Sequence, residues 1–586
     1  MLAFPDVYEV GMSNLGLRIL YHVINSRQEF VAERVFAPWV DMEAQMRTAG
    51  VPLFSLETAT PVRDFDVLGF SLAHELTYTN VLNMLDLAGI PIFARDRADA
   101  DPLVIAGGHC AFNPEPMADF IDAFAIGDGE DLILEIANAV AEHKTKGRKT
   151  LLLELARIPG LYVPAFYDPE YDGQRFLGLC PLESDAPERI RKRIVANLDD
   201  APYPDKFLVP FIEIVHDRAA VEIARGCTRG CRFCHAGIVT RPVRQRSPRK
   251  LIEQADALII GTGYNEIALV SLSSADYEGI GELVRDLARR FESRKVGISL
   301  PSLRADAECV ELAAEIERVR KTGLTFAPEA GSQRLRDAIN KNVTEADLMA
   351  AVSAALEKGW HRIKLYFMIG LPTETDEDLR AIGDLVRGVL GLAKQKRTPL
   401  NLNVSAACFV PKPHTPFQWR AQDSPDELKR KLGILRDTLR LKAVNLSWHE
   451  PEGSVVECIL ARGDRRVGQA IHNAWLNGAK FDGWSEHFDY GRWLGAFAQA
   501  GIDPDYYTVR AAEYDEPLPW DHIDVGVSKE FLIRQDRMTE DGLADPDCRL
   551  TSCKGCGLAE TQQDGSLCAE IREGRGRKMA LASGRA

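Results

Sequence analysis

Between Ala220 and Lys412 the sequence changes hydrophobic period again and again. Short apolar runs ("AVEIA", "EIALVSLSS", "VGISLPS", "LTFAPEA", "IKLYFMIGLP", "LNVSAACFVPK") alternate with longer stretches whose apolar residues recur at helical spacing, such as "IGELVRDLARRF" and "EADLMAAVSAALEKG". Strands separated by helices pair in parallel, because no tight hairpin joins them, and the helices then cover the sheet. Few folds accommodate that order. Repeated in this way, the βα units predict a partial (β/α)6 barrel over residues 216–420, with its chemistry at the carboxyl ends of the strands.

The chain has 586 residues, too many for one hydrophobic core, so further domains must flank the barrel. Residues 1–150 also alternate strand and helix. "VAERVF", "VPLFSL", "DVLGFSL" and "PLVIAGG" read as strands, and "LTYTNVLNMLDLAG" as an amphipathic helix ended at Gly89. This is the pattern of a doubly wound, Rossmann-like α/β domain, whose ligands bind outside the carboxyl ends of its strands. Two of its strands run into glycines, Gly107-Gly108 and Gly127-Asp128-Gly129-Glu130, where a missing Cβ lets backbone approach a bulky ligand. Residues 151–215 read as a connecting segment. From 421 to 586 the chain is mainly helical: "DELKRKLGILRDTLRLKAV" reads as one long helix, and "SVVECILARGDRRVGQAIHNAWLNGA" as a helix broken at Gly463. The final "REGRGRKMALASGRA" reads as a basic disordered tail.

Chemistry is concentrated in cysteine. Of twelve cysteines, Cys110, Cys180, Cys309, Cys408 and Cys458 are scattered and read as small core residues. The others form two groups. In "ARGCTRGCRFCHAG", Cys227, Cys231 and Cys234 make a C-x3-C-x2-C array just after the first barrel strand. Three thiolates can bind three irons of a [4Fe–4S] cluster and leave the fourth iron open. The alternative is a zinc site completed by His235, whose position directly after Cys234 is awkward for a tetrahedral chelate. The second group, Cys548, Cys553, Cys556 and Cys568, reads as either an auxiliary iron–sulfur cluster or a structural zinc. The opening "MLAFPDVYEVGM" lacks the features of an export signal, so a cytoplasmic location is expected, where clustered cysteines bind metals rather than form disulfides.

The cysteine array, with Phe233 before its last member and a βα barrel after it, resembles the signature of the radical S-adenosylmethionine (radical SAM) superfamily. "VIAGGHCAFNPEP" and "FIDAFAIGDGE" resemble the cobalamin-binding domains of that superfamily. As a whole the chain is similar to an uncharacterised bacterial family with "FPDVYEVGMSNLG" at the front and "FVPKPHTPFQW" mid-chain. The resemblance implies an enzyme in which a [4Fe–4S] cluster on Cys227, Cys231 and Cys234 cleaves S-adenosylmethionine reductively to a 5′-deoxyadenosyl radical. It implies a cofactor pocket of Phe233, Ser273 and Ser274 (where a glycine-glycine-glutamate motif is usual), Ser302 and Arg304 for the carboxylate, Glu329 for the ribose, and Met368 with Gly370 for the adenine. Gly107, Gly108, Gly127 and Gly129 become contacts for cobalamin if that cofactor binds. Tyr8 stands where one cobalamin class has its cobalt-ligating histidine, which excludes that mode of binding. A reductant such as flavodoxin or ferredoxin is implied, with RNA or a small molecule as substrate. The outcome would be methylthiolation or another C–H functionalisation, or alternatively cobalamin-dependent methyl transfer. The non-catalytic alternative is an iron–sulfur and zinc scaffold for RNA or a protein partner.

The formal charge of -15 argues against general affinity for nucleic acid. One basic run, "TRPVRQRSPRK", stands out (Arg241, Arg244, Arg246, Arg249, Lys250), and reads either as a solvated loop or as a guide for an anionic substrate. His414 reads as structural or as a substrate contact. Asp521, His522 and Asp524 read as a helix cap or an acid–base pair. No apolar run approaches the ~20 residues needed to span a bilayer, so no membrane association is expected.

Overall fold

The computed structural model describes residues 1–300 and 323–558. The chain forms two compact units, and neither is continuous in sequence. The first comprises Met1–Val195, Asp200–Asp217 and Val456–Val525; the second comprises Ala196–Asp199, Arg218–Val455 and Gly526–Ala586. Residues 421–586 are thus divided between them.

In the first unit, β1 (Leu2–Phe4), β2 (Arg34–Phe36), β3 (Val67–Ser71), β4 (Leu103–Gly107), β5 (Ala123–Ala125) and β6 (Leu161–Tyr162) form one sheet in the order β2-β1-β3-β4-β5-β6. The first five strands are parallel, and β6 runs antiparallel on β5. This is the doubly wound α/β arrangement that the strand–helix alternation predicts. "VPLFSL" departs from that expectation: it contributes only a bridge between Phe54 and Pro61, because the chain turns back at Ala59 (φ 57°) and the Ser55 N–H bonds to the Thr60 carbonyl at 2.9 Å.

Helix Tyr78–Leu87 is buried on nearly every side rather than amphipathic. Its polar residues face the returning segment. Thr79 donates to Asp482 at 2.7 Å, Asn80 accepts the Phe481 N–H at 2.7 Å, and Asn83 accepts from Trp475. Buried polar groups are tolerable when each finds such a partner.

In the second unit, β7 (Ala219–Glu222), β8 (Glu266–Val270) and β9 (Gly297–Ser299) form a parallel sheet. A second parallel sheet runs β10 (Leu324–Glu329), β11 (Arg362–Ile369), β12 (Asn401–Cys408) and β13 (Val444–Trp448) in sequence order. The strand run therefore extends one beyond the expected six. The supposed long helix ends at Thr438, and Val444, Leu446 and Trp448 then alternate with more exposed Asn445 and Ser447, pairing in parallel with β12. Helices cross between strands, and their starts are capped as their sequences suggest. Ser247 accepts the Lys250 N–H, and Thr344 with Asp347 forms a reciprocal capping box. Among the described residues no helix is long and apolar enough to cross a membrane.

Candidate active site

The loop leaving β7 carries Cys227, Cys231 and Cys234 and runs into the short helix His235–Val239. The three thiols feel one another's charge. Burial pushes each of them above the usual thiol range, Cys231 up to about 12, against the opposing pull of Lys341 on Cys231 and Cys234 and of Arg241 and the Arg229 N–H on Cys227. The backbone N–H groups of Arg229 and Gly237 point at the Sγ atoms of Cys227 and Cys234, at 3.5 and 3.3 Å. Convergent soft thiols, N–H donors aimed at sulfur and an adjacent cation form a donor set that fits a thiolate-held iron–sulfur cluster.

The loop is braced from below by arginines that carry no structural mark in the sequence. Arg232 is fully buried. Its guanidinium donates to the carbonyls of Ala338 and Leu543, at 2.6 and 2.7 Å, while its backbone N–H donates to the Ile339 carbonyl. The basic run behind the cluster loop is also turned inward. Arg241, Arg244 and Arg246 are 7%, 7% and 1% exposed, which rules out both a solvated loop and an open guide for anions at these three positions. Arg241 donates to the Gly237 carbonyl, Arg244 to those of Pro242 and Thr240, and Arg246 to Leu198 while pairing with Glu222. Carbonyls at the ends of short elements need such donors when buried, and charge in a sequence does not reveal that use. Of the run only Arg249 fits the surface reading, at a side-chain exposure of 79%.

At the carboxyl end of β8, the Ser273 hydroxyl donates to Asp276 at 2.6 Å, and Ser274, fully buried, donates to the Leu269 carbonyl at 3.1 Å. Asp276 is the hub here. It takes Arg229 from the cluster loop at 2.7 Å and Arg549 from near the C terminus at 3.3 Å. Despite burial, these cations hold its carboxyl down at about 2.

Glu329 ends β10 in a left-handed conformation (φ 66°) and pairs with Lys341 at 3.0 Å. Lys341 also faces the cluster thiols and the Phe233 ring, 5.9 Å from its centroid. Phe233 and Met368 pack on one apolar cluster with Ala330, Leu371 and Phe417. The sites read from separate strand ends are thus brought together: Phe233, Glu329, Met368 and the thiols surround one region. Lys341, Arg229 and Asp276 join them without a sequence signal, because nothing in their local sequence distinguishes them from surface charges.

The Gly370 N–H donates to Glu374, which is buried beside Lys431 at 3.3 Å, with Asp423 on the lysine's other side at 2.7 Å. Burial outweighs the lysine and raises the Glu374 carboxyl to about 7. A carboxyl raised in the folded state contributes stability that is complete below its unfolded value and is lost as pH rises through 7. Glu374→Gln keeps an acceptor for the Gly370 N–H. It is therefore expected to flatten the melting temperature between about pH 5 and 8, where the parent protein should fall by a few degrees relative to the variant.

The four glycines of the first unit lie at the carboxyl edge of its sheet, where the chain itself takes up their missing side-chain space. A Cβ on Gly108 would meet the Leu72 carbonyl oxygen at 2.6 Å, and one on Gly127 would come still closer to the Arg193 carbonyl oxygen; Gly107 faces Ala125 and Gly129 faces Leu20. Tyr8 opens a short helix after β1 and stacks edge-on against Phe36. At the same edge His74, Glu75 and Glu457 bring ligand-type atoms within 4.8 Å of one another, with the His74 ring facing Glu457 at 3.7 Å. His522 is packed against Tyr162, with ring centroids 4.6 Å apart, and burial drives its pKa down to about 3, so it is a core residue rather than an acid–base group near neutral pH. His414 is likewise buried, its backbone N–H held by Gln418 at 2.9 Å.

Cys548, Cys553 and Cys556 line one cavity together with Thr228, Arg229 and Arg241 of the cluster loop. Ser302, Arg304, Cys309, Cys568 and the basic tail lie outside the described residues.

A family model described as the N-terminal part of radical SAM proteins matches residues 16–164, and one described as the radical SAM superfamily matches residues 221–386. An uncharacterised protein of Methanocaldococcus jannaschii is 28% identical over 475 residues, 80% of this chain and 90% of that one. The ribosomal protein uS12 methylthiotransferase of Thermotoga maritima is 25% identical over 311 residues, 50% of this chain and 66% of its own. Among solved structures, the radical S-adenosylmethionine methyltransferase TsrM from Kitasatospora setae, with cobalamin and a [4Fe–4S] cluster bound, is similar at 14% identity and a TM-score of 0.46, covering 69% of this chain and 74% of that one. The first model falls on the Rossmann-like sheet, and the second starts in β7 and takes in the cysteine loop, Asp276, Glu329 and Gly370. The chain belongs to the radical SAM superfamily of enzymes.

Proposed function

We propose that this enzyme generates a 5′-deoxyadenosyl radical and uses it to functionalise a C–H bond, with methylthiolation as the reaction. The observation that carries the reading is that Lys341 pairs with Glu329 at 3.0 Å and also faces the Cys231 and Cys234 thiols of the cysteine array. A [4Fe–4S] cluster held by these thiols would supply an open iron for S-adenosylmethionine and the electron that breaks its C–S bond. The chain's own residues do the rest. Lys341 offsets the negative charge of the thiolates, and Glu329, anchored by Lys341 through one oxygen, offers the other to ribose hydroxyls. Phe233 and Met368 form an apolar wall that keeps water from a reactive radical. Asp276 fixes Arg229 and Ser273 and so sets the shape of the cluster loop against the β8 terminus. The methylthiolation step is supported by the methylthiotransferase of Thermotoga maritima, whose similarity covers half of this chain.

The test is anaerobic purification, reduction, and assay for 5′-deoxyadenosine and methionine. Stoichiometric formation of both, with a reduced-cluster spectrum altered by S-adenosylmethionine, is expected. Intact S-adenosylmethionine in the presence of a fully assembled cluster would sink the reading. Cobalamin retained after desalting at about one per chain, with methyl rather than methylthio transfer, would replace the second half of it.

A further inference from the structure

We infer that Cys548, Cys553 and Cys556 hold a second iron–sulfur cluster, separated from the first by a single shared wall of side chains. The inference rests on the reading of the Cys227–Cys234 loop as a cluster site. The three C-terminal thiols open into one cavity whose other side is the cluster loop itself, at Thr228, Arg229 and Arg241.

The contact is built rather than incidental. Thr228 donates to Asp547 at 3.0 Å, and Asp547 is 3% exposed. Arg549 bonds Asp547 at 2.8 Å and reaches Asp276 at 3.3 Å, the same carboxylate that holds Arg229. Arg229 itself comes within 3.6 Å of Asp547. Its backbone N–H points at the Cys227 sulfur, while Cys548 directly follows Asp547. One largely half-buried Arg–Asp–Arg–Asp network therefore links the two cysteine loops. Behind it Asp545 is fixed by Asn340 at 2.7 Å and Lys554 at 2.8 Å, and Asn340 donates onward to the Gly230 carbonyl. Within the second group the Gly555 N–H points at the Cys553 sulfur at 3.5 Å, repeating the N–H-to-sulfur arrangement of the first.

This setting favours iron over zinc. A structural zinc pins a chain that has little else to hold it, whereas residues 545–549 are already fixed by half-buried ion pairs and by hydrogen bonds to the cluster loop. Cys568 lies outside the described residues, and the assignment uses only the three described thiols.

The experiment compares the full chain, purified anaerobically, with its Cys553→Ser/Cys556→Ser variant, by iron, sulfide and zinc analysis and by electron paramagnetic resonance of the reduced proteins. About eight irons and no zinc are expected in the parent protein, with signals broadened by spin–spin interaction between the two centres. The variant should fall to about four irons, lose the broadening, and keep a first-cluster signal that still responds to S-adenosylmethionine. About four irons in the parent with that response intact, with or without one zinc, overturns the second cluster and leaves the first standing. Eight irons with no interaction between the signals overturns the shared wall. A parent protein with no S-adenosylmethionine-sensitive signal overturns the proposed function and this inference with it. The parent measurements decide each case even if the variant does not fold.

Discussion

Cys231→Ser is expected to reduce 5′-deoxyadenosine formation to background while the protein stays folded. Desolvation pushes the Cys231 thiol up to about 12, so it is held away from solvent inside the array. Serine nearly matches it in size but offers a hard oxygen where iron–sulfur chemistry needs a soft thiolate. Loss of a residue that merely orients a metal ligand costs about 10–100-fold, and loss of a ligand should cost more. The fold should survive, because the loop's scaffold is the Arg232 guanidinium on the Ala338 and Leu543 carbonyls, which the substitution does not touch. Thermal melting of the metal-free proteins checks that point, and iron content with 5′-deoxyadenosine yield checks the rest. His235→Ala is the informative control. If it removed the metal as Cys231→Ser does, and the metal lost were zinc, a zinc site completed by His235 would replace the cluster.

Gly331→Ala is expected to destabilise the second unit by about 1–3 kcal/mol and to weaken S-adenosylmethionine binding at the same time. Gly331 lies between Glu329 and the helix capped by Ser332. A Cβ there would meet the backbone of helix Asp376–Gln395, with the Asp378 carbonyl oxygen at 2.5 Å and the Ile382 nitrogen nearer still. Neither atom can rotate away. The helix must move, and with it Asp378, which holds both Ser332 and Arg334. Because Glu329 stands two residues earlier in a left-handed conformation, the displacement reaches the carboxylate proposed to bind ribose. Gly391→Ala in the same helix meets nothing within 4 Å, and should leave stability unchanged or raise it slightly. A pair of urea melts separates the two cases: equal midpoints for both variants would mean that the helix gives way at Gly331 without cost.

The parts of this molecule written in short-range pattern are legible in the chain itself. The βα alternation is a local periodicity, and the cysteine spacing is a local word, so the sheets and the thiol triad can be read from adjacent residues. Ser332 as a cap belongs to the same class. What escapes such a reading is decided across distance. Arg229 finds Asp276 and then Asp547, and Arg232 finds Leu543, partners that no local window contains. The inward-turned Arg241, Arg244 and Arg246 show the same limit from the other side, since a run of charges looks alike whether it faces water or buried carbonyls. The strand Val444–Trp448 escapes for a different reason. Its alternation is only five residues long and follows a strong helix closely enough to be absorbed into it.

The interleaving of the two units sets an order of events during synthesis. Thr79 and Asn80 emerge early, but their partners Asp482 and Phe481 lie 403 and 401 residues further along. At the ribosome's ~5–20 residues per second, roughly 20–80 s pass before those partners exist. Through that interval Thr79 lacks its Asp482 acceptor and Asn80 has only the Pro5 carbonyl, whereas Asn83 already has Glu43 and Arg47. A chain that stops short of Phe481 leaves Thr79 and Asn80 permanently without those partners, even though every strand of the sheet has been made.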